Sequence, residues 1–252
     1  MDITNDRHSQ HISSQFNQEL ESLKTHLMGM GGLVERQIQE AVAALLDNDS
    51  RAAEKVRDND RQVNEMQLRI DDECTQILAR RQPAASDLRL VLAVTRAASD
   101  LERIGDEANK IARNALTLIE LGETTRGYTE VRRIAGQVRE MVRQSLTAFA
   151  RFDTELALGV LEDDETVDEE YRSAMRSLVT FMMEDPRAIS PVLHVLWILR
   201  ALERVGDHAN NLAESVIYLV KGLDIRHAPE HPRASLSRKR GDRDADNDTD
   251  KA

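Results

Sequence analysis

Aromatic residues make up only 3% of this 252-residue chain, too few to build the stacking surfaces that hold single-stranded nucleic acids. Cysteine occurs once, at Cys74, so an internal disulfide is impossible and the chain suits a reducing compartment. Cys74 itself reads as a small buried hydrophobe, since no histidine is spaced to form a dyad with it. Five prolines leave long stretches without a helix breaker. No apolar run is long enough to cross a bilayer; the strongest, "VLHVLWILRAL", is interrupted by His194 and Arg200. The opening "MDITNDRHSQHISSQ" lacks the apolar stretch of a signal peptide. These absences predict a cytoplasmic location without membrane insertion. Positive charge is also short: 34 Lys and Arg against 45 Asp and Glu give a net charge of −11, a field that repels DNA, RNA, anionic lipid and free phosphate. Glycine-rich phosphate loops and GxSxG nucleophile elbows do not occur.

What the chain does have is helical periodicity from end to end. Phe16, Leu20, Leu23, Leu27, Met30, Val34, Ile38, Ala41 and Leu45 step by three or four, one apolar face of a long helix. A second helix from about Ser50 carries Val56, Val63, Ile70 and Ile77 at heptad spacing and stops before Pro83; a third runs from near Ser86 toward Gly122. The plan then recurs as Tyr128–Arg151, Thr154–Met183 and Ser190–Lys221. Residues match as well as helices. At a shift of 104, Val34, Ile38, Val42 and Leu45 fall on Val138, Val142, Leu146 and Phe149, and Asp60 and Val63 fall on Asp164 and Val167. The shift drops to 101 for the third helices, where "DLERIGDEANKIA" (100–112) becomes "ALERVGDHANNLA" (201–213). The expected fold is therefore all-α: two tandem three-helix bundles related by an internal repeat, over 14–123 and 124–225, after a polar N-terminal arm at 1–13. The stretch 226–252, poor in core-forming residues, is expected to be a disordered charged tail.

The repeated segment carries the chemistry. Glu102 and Asp106 stand at i and i+4, as do Glu203 and Asp207, and like charges at that spacing cost a helix about 0.2–0.5 kcal/mol. On the helical wheel the acids point away from the core side set by Leu101, Ile104, Ala108 and Ile111, with Asn109, and in the second half Asn210 and Glu214, continuing the stripe. A solvated face accounts for one such pair; its recurrence sets a bound cation beside that reading as the alternative. Asp164 and Asp168 form a third i, i+4 pair on the fifth helix, whereas the first half offers Asp60 with Asn64, so two such sites are expected to be unequal. Carboxylate and amide oxygens without cysteine suit hard or borderline ions. Gly105 and Gly206 interrupt the pairs at a cost of about 1 kcal/mol each relative to alanine, which suggests close helix approach or room beside a metal. Lys110 is placed to neutralise Asp106, and Glu107 to pair with Arg103. His208 reads as a solvated histidine, and Trp197 and His194 as core or interface residues.

These residues also carry a resemblance. "DLERIGDEANKIA" and "ALERVGDHANNLAE", with the preceding "RRQPAASDLRLVLAVT" and "MMEDPRAIS", resemble the PhoU family of bacterial phosphate-signalling regulators over about Ile12 to His227. The resemblance implies two three-helix bundles and E(D)xxxD motifs that bind multinuclear metal clusters in some members. By position these motifs fall on Glu102, Asp106, Glu203, Asp207, Asp164, Asp168 and Asp60, with Asn64 departing from the acidic pattern. The implied metal is multinuclear iron or another divalent ion, with Zn, Mn, Mg, Ca and Ni all compatible. The implied role is that of a cytoplasmic, homodimeric, non-catalytic negative regulator, coupling the ATPase subunit of the phosphate-specific ABC transporter to a phosphate sensor histidine kinase. The competing class is a carboxylate-bridged metalloenzyme or metal-storage helical protein. Against an enzyme of that type, its Glu-x-x-His motif is absent from the chain.

Overall fold

The computed structural model describes residues 3–122 and 126–225, with side chains from Gln15 onward. It contains six long helices: α1 (Ile3–Leu46), α2 (Ser50–Arg81), α3 (Ala85–Leu121), α4 (Tyr128–Arg151), α5 (Thr154–Glu184) and α6 (Ile189–Lys221), with one 3₁₀ turn at Pro186–Ala188. No strand occurs among the described residues. Helix ends follow local chemistry that repeats with the sequence. Asp49 caps α2 by accepting from the Ala52 N–H at 3.1 Å, and its repeat mate Asp153 caps α5 by accepting from Glu155 and Leu156 at 3.0 Å. Pro83 and Pro186 follow the ends of α2 and α5, where a ring in place of an N–H prevents continuation. The polar arm expected at 1–13 is continuous with α1, which begins at Ile3, and no glycine or proline precedes Gly29 to interrupt that helix. The tail expected at 226–252 lies outside the described residues.

The helices pack in two layers. One is the row α2, α3, α6, α5; behind it α1 seats against α2 and α3, α4 seats against α5 and α6, and α1 touches α4. The apolar stripes read from the sequence form the core: Leu23, Leu27, Met30, Val34 and Ile38 of α1 are fully buried, as are Val138 and Phe149 of α4. Each such side chain contributes about 1.5–3 kcal/mol of burial. The core runs through both halves without a break, because α3 and α6 pack on each other more extensively than any other pair. Polar links fix this antiparallel α3/α6 seam. Asp100 accepts from Asn211 at 3.1 Å and pairs with His208 Nδ1 at 3.1 Å, while His194 Nδ1 meets Asn114 Oδ1 at 2.9 Å. Glu107, 2% exposed, holds Lys110 at 2.8 Å and Arg204 from α6 at 3.2 Å.

Three expectations are corrected by this packing. Lys110 and Glu107 pair with each other, so Lys110 does not neutralise Asp106, and Arg103 turns to Glu102 and Asp106 rather than to Glu107. The reason is burial: Glu107 faces the seam, where Arg204 meets it. His208 is not simply solvated, because α3 covers it and supplies Asp100. Trp197, expected as a core or interface residue, lies outside the core: it is 52% exposed and packs edge-on against His194 at 4.8 Å.

Candidate metal centre

The acids do not all face outward. The face opposite the core stripe of α6 looks into a groove made by α5, so Glu203 is only 8% exposed while Asp207 stays exposed at the mouth. The floor of that groove is set by Gly206. A Cβ at this position would meet Asp164 Oδ1 at 3.2 Å and Val167 Cγ1 at 3.6 Å. The glycine is thus a close-approach residue, and what it admits is a carboxylate from the neighbouring helix.

Asp168, Glu203 and Asp207 each place a carboxylate oxygen within 4.8 Å of the others. Metal–oxygen bonds of roughly 2.0–2.6 Å can bridge such a set. Asp164 lies beneath them, and its carboxyl is pushed up to about 7, first by burial and then by the charges of Asp207, Asp168 and Glu203. Glu203 is raised by burial and by Asp207, against the opposing pull of Arg200. Asp207 is raised by lost hydration and by Asp168. Two cations are already present at the rim: Arg172 bonds Asp168 at 2.7 Å, and Arg200 pairs with Glu203. They leave Glu203 Oε2 and Asp164 Oδ1 buried without a hydrogen-bond partner. A buried acceptor without a donor costs about 1–3 kcal/mol, so inward-facing carboxylate oxygens of this kind fit a cation better than an empty groove.

The α2/α3 groove repeats the backbone with fewer charges. Glu102 and Asp106 line α3, with Glu102 raised by burial and by Asp106, and Asp60 of α2 close enough to add to that rise. Asn64 stands where Asp168 stands in the other half, and Arg103 bridges Glu102 at 3.6 Å and Asp106 at 3.7 Å. Among the described residues no third carboxylate converges there as Asp168 does on Glu203 and Asp207. All seven acids named from the sequence therefore lie in two corresponding grooves, of which α5/α6 assembles the tighter set. Two features escaped the sequence reading. Asn109 and Asn210, named only as continuing the stripe, bury a carbonyl oxygen without a partner in both halves. Gln37, between the core residues Val34 and Ile38, is 2% exposed with both amide atoms unpartnered. A polar residue inside an apolar helical stripe was its signal.

Comparison with known proteins agrees with this architecture. The PhoU domain model matches residues 27–115 and 131–216. The chain is 60% identical over 225 residues to a phosphate-specific transport system accessory protein PhoU homolog of Pseudomonas aeruginosa, covering 89% of this chain and 93% of the relative. It is 43% identical over 219 residues to the phosphate-specific transport system accessory protein PhoU of Escherichia coli K12, covering 87% and 90%. Its fold matches the crystal structure of PhoU from Pseudomonas aeruginosa with a TM-score of 0.81 at 60% identity, over 82% of this chain and 100% of that one. A phosphate transport system regulatory protein PhoU from Streptococcus pneumoniae matches at TM-score 0.77 and 29% identity, over 83% and 98%. With two matched domains and relatives aligned along nearly their whole length, this chain belongs to the PhoU family, whose members are accessory proteins of phosphate transport rather than enzymes.

Proposed function

We propose that this protein is a non-catalytic negative regulator of phosphate uptake and signalling, working through helix faces that bind other proteins. The observation that carries the reading is the family match along both repeats, together with relatives named as accessory proteins of the phosphate-specific transport system. In this reading its partners are the ATPase subunit of the phosphate-specific ABC transporter and a sensor histidine kinase. It acts in the cytoplasm as a homodimer. No helix among the described residues is long and apolar enough to cross a membrane.

The metal belongs to the same proposal. Asp164, Asp168, Glu203 and Asp207 hold it in the α5/α6 groove, and Asp60, Glu102 and Asp106 form the weaker α2/α3 counterpart. The all-oxygen donor set supports iron or another hard or borderline divalent ion. Once bound, the ion supplies positive charge to an acidic face and an attachment point for anionic oxygens. The chain's own contribution is to preorganise the carboxylates by helix packing and to keep Glu203 Oε2 and Asp164 Oδ1 without a competing donor.

The test is a deletion strain carrying a starvation-gene reporter. Deletion is expected to switch the reporter on in phosphate-rich medium, and wild type to restore repression. A variant with Glu102, Asp106, Glu203 and Asp207 all replaced by alanine is expected to leave it on. Unchanged reporter output on deletion refutes the regulatory reading; full repression by the variant separates the grooves from signalling.

A further inference from the structure

The two glycines that open the grooves have the same neighbours, with one exchange. Around Gly206 these are Val167 Cγ1 at 3.6 Å, Met141 Cε at 3.7 Å and Asp164 Oδ1 at 3.2 Å. Around Gly105 they are Val63, whose Cγ1 stands at 3.2 Å, and Gln37 Oε1 at 3.5 Å. Val63 and Val167 are repeat mates, and so are Gln37 and Met141. In the second half the position on the first helix of the triplet is apolar, and the oxygen over the glycine comes from the middle helix. In the first half no Asp60 atom is among the three nearest to that point, and the oxygen nearest it comes from α1 instead.

Gln37 is an expensive residue to keep there. It is 2% exposed and neither its Oε1 nor its Nε2 has a hydrogen-bond partner. Each unsatisfied group has lost its water without gaining a hydrogen bond in return, and the repeat shows that a methionine fits the corresponding position. Its Oε1 lies against Gly105, between Glu102 and Asp106 on α3. The carbonyl oxygen of Asn109, one turn along, is buried and unpartnered as well. Gln37 Oε1 thus lies against, and Asn109 on, the stretch of α3 that carries Glu102 and Asp106, and the neutral Asn64 stands where Asp168 adds a carboxylate in the second half.

On the reading of both grooves as cation sites, we propose that Gln37 supplies the inner oxygen of the α2/α3 groove, standing in for Asp164. It makes that groove a site for a single hard divalent cation rather than for a cluster. Amide carbonyls and carboxylates together are the donors such ions take, and a set with fewer negative charges holds one ion less tightly than its all-carboxylate counterpart. Arg103, 58% exposed at the rim, is the cation that the incoming ion displaces from Glu102 and Asp106.

Manganese(II) tests this on the full chain, with free ion counted by electron paramagnetic resonance. In a Glu203→Ala, Asp207→Ala background, which silences α5/α6, one ion is expected to bind. Adding Gln37→Met is expected to weaken that binding at least tenfold while the metal-free melting temperature holds or rises, since methionine removes the unsatisfied amide. Gln37→Glu is expected to tighten it. In a Glu102→Ala, Asp106→Ala background, Gln37→Met is expected to change nothing. Retention of full manganese affinity by Gln37→Met, with a higher melting temperature, assigns Gln37 to water or packing and overturns the inference. Binding by wild type but none in the first background overturns it too, leaving the α5/α6 reading intact. No binding by wild type overturns both.

Discussion

The α2/α3 and α5/α6 grooves share one backbone plan and differ in a handful of side chains. Both place a glycine between two acids, and both bury a carbonyl oxygen one turn further on. Around that plan α5/α6 gathers Asp164, Asp168, Glu203 and Asp207, whereas α2/α3 gathers Asp60, Glu102 and Asp106 with the neutral Asn64 and Gln37. Their cations differ in the same sense. Arg204, the repeat mate of Arg103, leaves its own groove and crosses the seam to Glu107, while Arg103 stays and screens Glu102 and Asp106. The repeat thus separates two tasks: packing is conserved between the halves, and charge is concentrated in the second. A fold can hold an acidic cluster at little cost to its core if the cluster sits where helices approach through a glycine.

The sharpest way to break this comparison is at the two arginines. Arg204→Ala leaves the nearly buried Glu107 with Lys110 alone and is expected to lower stability by about 1–3 kcal/mol. Arg103→Ala removes an exposed pair and is expected to cost less than about 1 kcal/mol. Denaturant melts of both variants check the asymmetry; equal losses would mean that the seam does not distinguish the halves. Next in size is Asn64→Asp, which restores the carboxylate that α2/α3 lacks. In the Glu203→Ala, Asp207→Ala background it is expected to tighten divalent-ion binding about tenfold, roughly 1.4 kcal/mol.

A third effect is one of pH. The raised Asp164 carboxyl keeps its proton in the metal-free native state up to about pH 7, whereas the unfolded chain releases it near 4. Its contribution to stability is therefore complete below about pH 4 and is lost as pH rises through 7. The metal-free melting temperature is expected to fall over that interval, and Asp164→Asn to flatten the fall. Metal affinity runs the other way and should rise with pH up to about 7, because the ion displaces the proton. The smallest effect is expected from Gly206→Ala. Helix propensity gains up to about 1 kcal/mol, while the new Cβ at 3.2 Å presses on Asp164, so metal-free stability should hold as metal affinity drops.

Most of the architecture was legible in the residues. Apolar stripes such as Leu23 to Ile38 gave helix faces, Pro83 and Pro186 their limits, and the 104-residue shift the repeat. The pairing of α3 with α6 was not legible, because a helical wheel shows one core side and cannot say which neighbour covers the rest. That is why Glu203 read as facing away from the core with no neighbour when α5 lies beside it, and why Glu107 appeared as a partner for Arg103. The acids of the grooves were visible as i, i+4 pairs, since that spacing is intrinsic to one helix. Their convergence across α5 and α6, and the exchange of Asp164 for Gln37 over the repeated glycine, depend on side chains from different helices and appear only in three dimensions.

The central claim is that the α5/α6 groove is a cation site held together by packing rather than by its charges. Elemental analysis of full-length protein purified without chelator or affinity metal, wild type beside Glu203→Ala, Asp207→Ala, tests it most directly when read with far-ultraviolet circular dichroism. The account predicts that wild type carries metal, that the variant loses half or more of it, and that helicity is unchanged. Equal metal in the two proteins, or no metal in either after loading with iron or manganese, would contradict it.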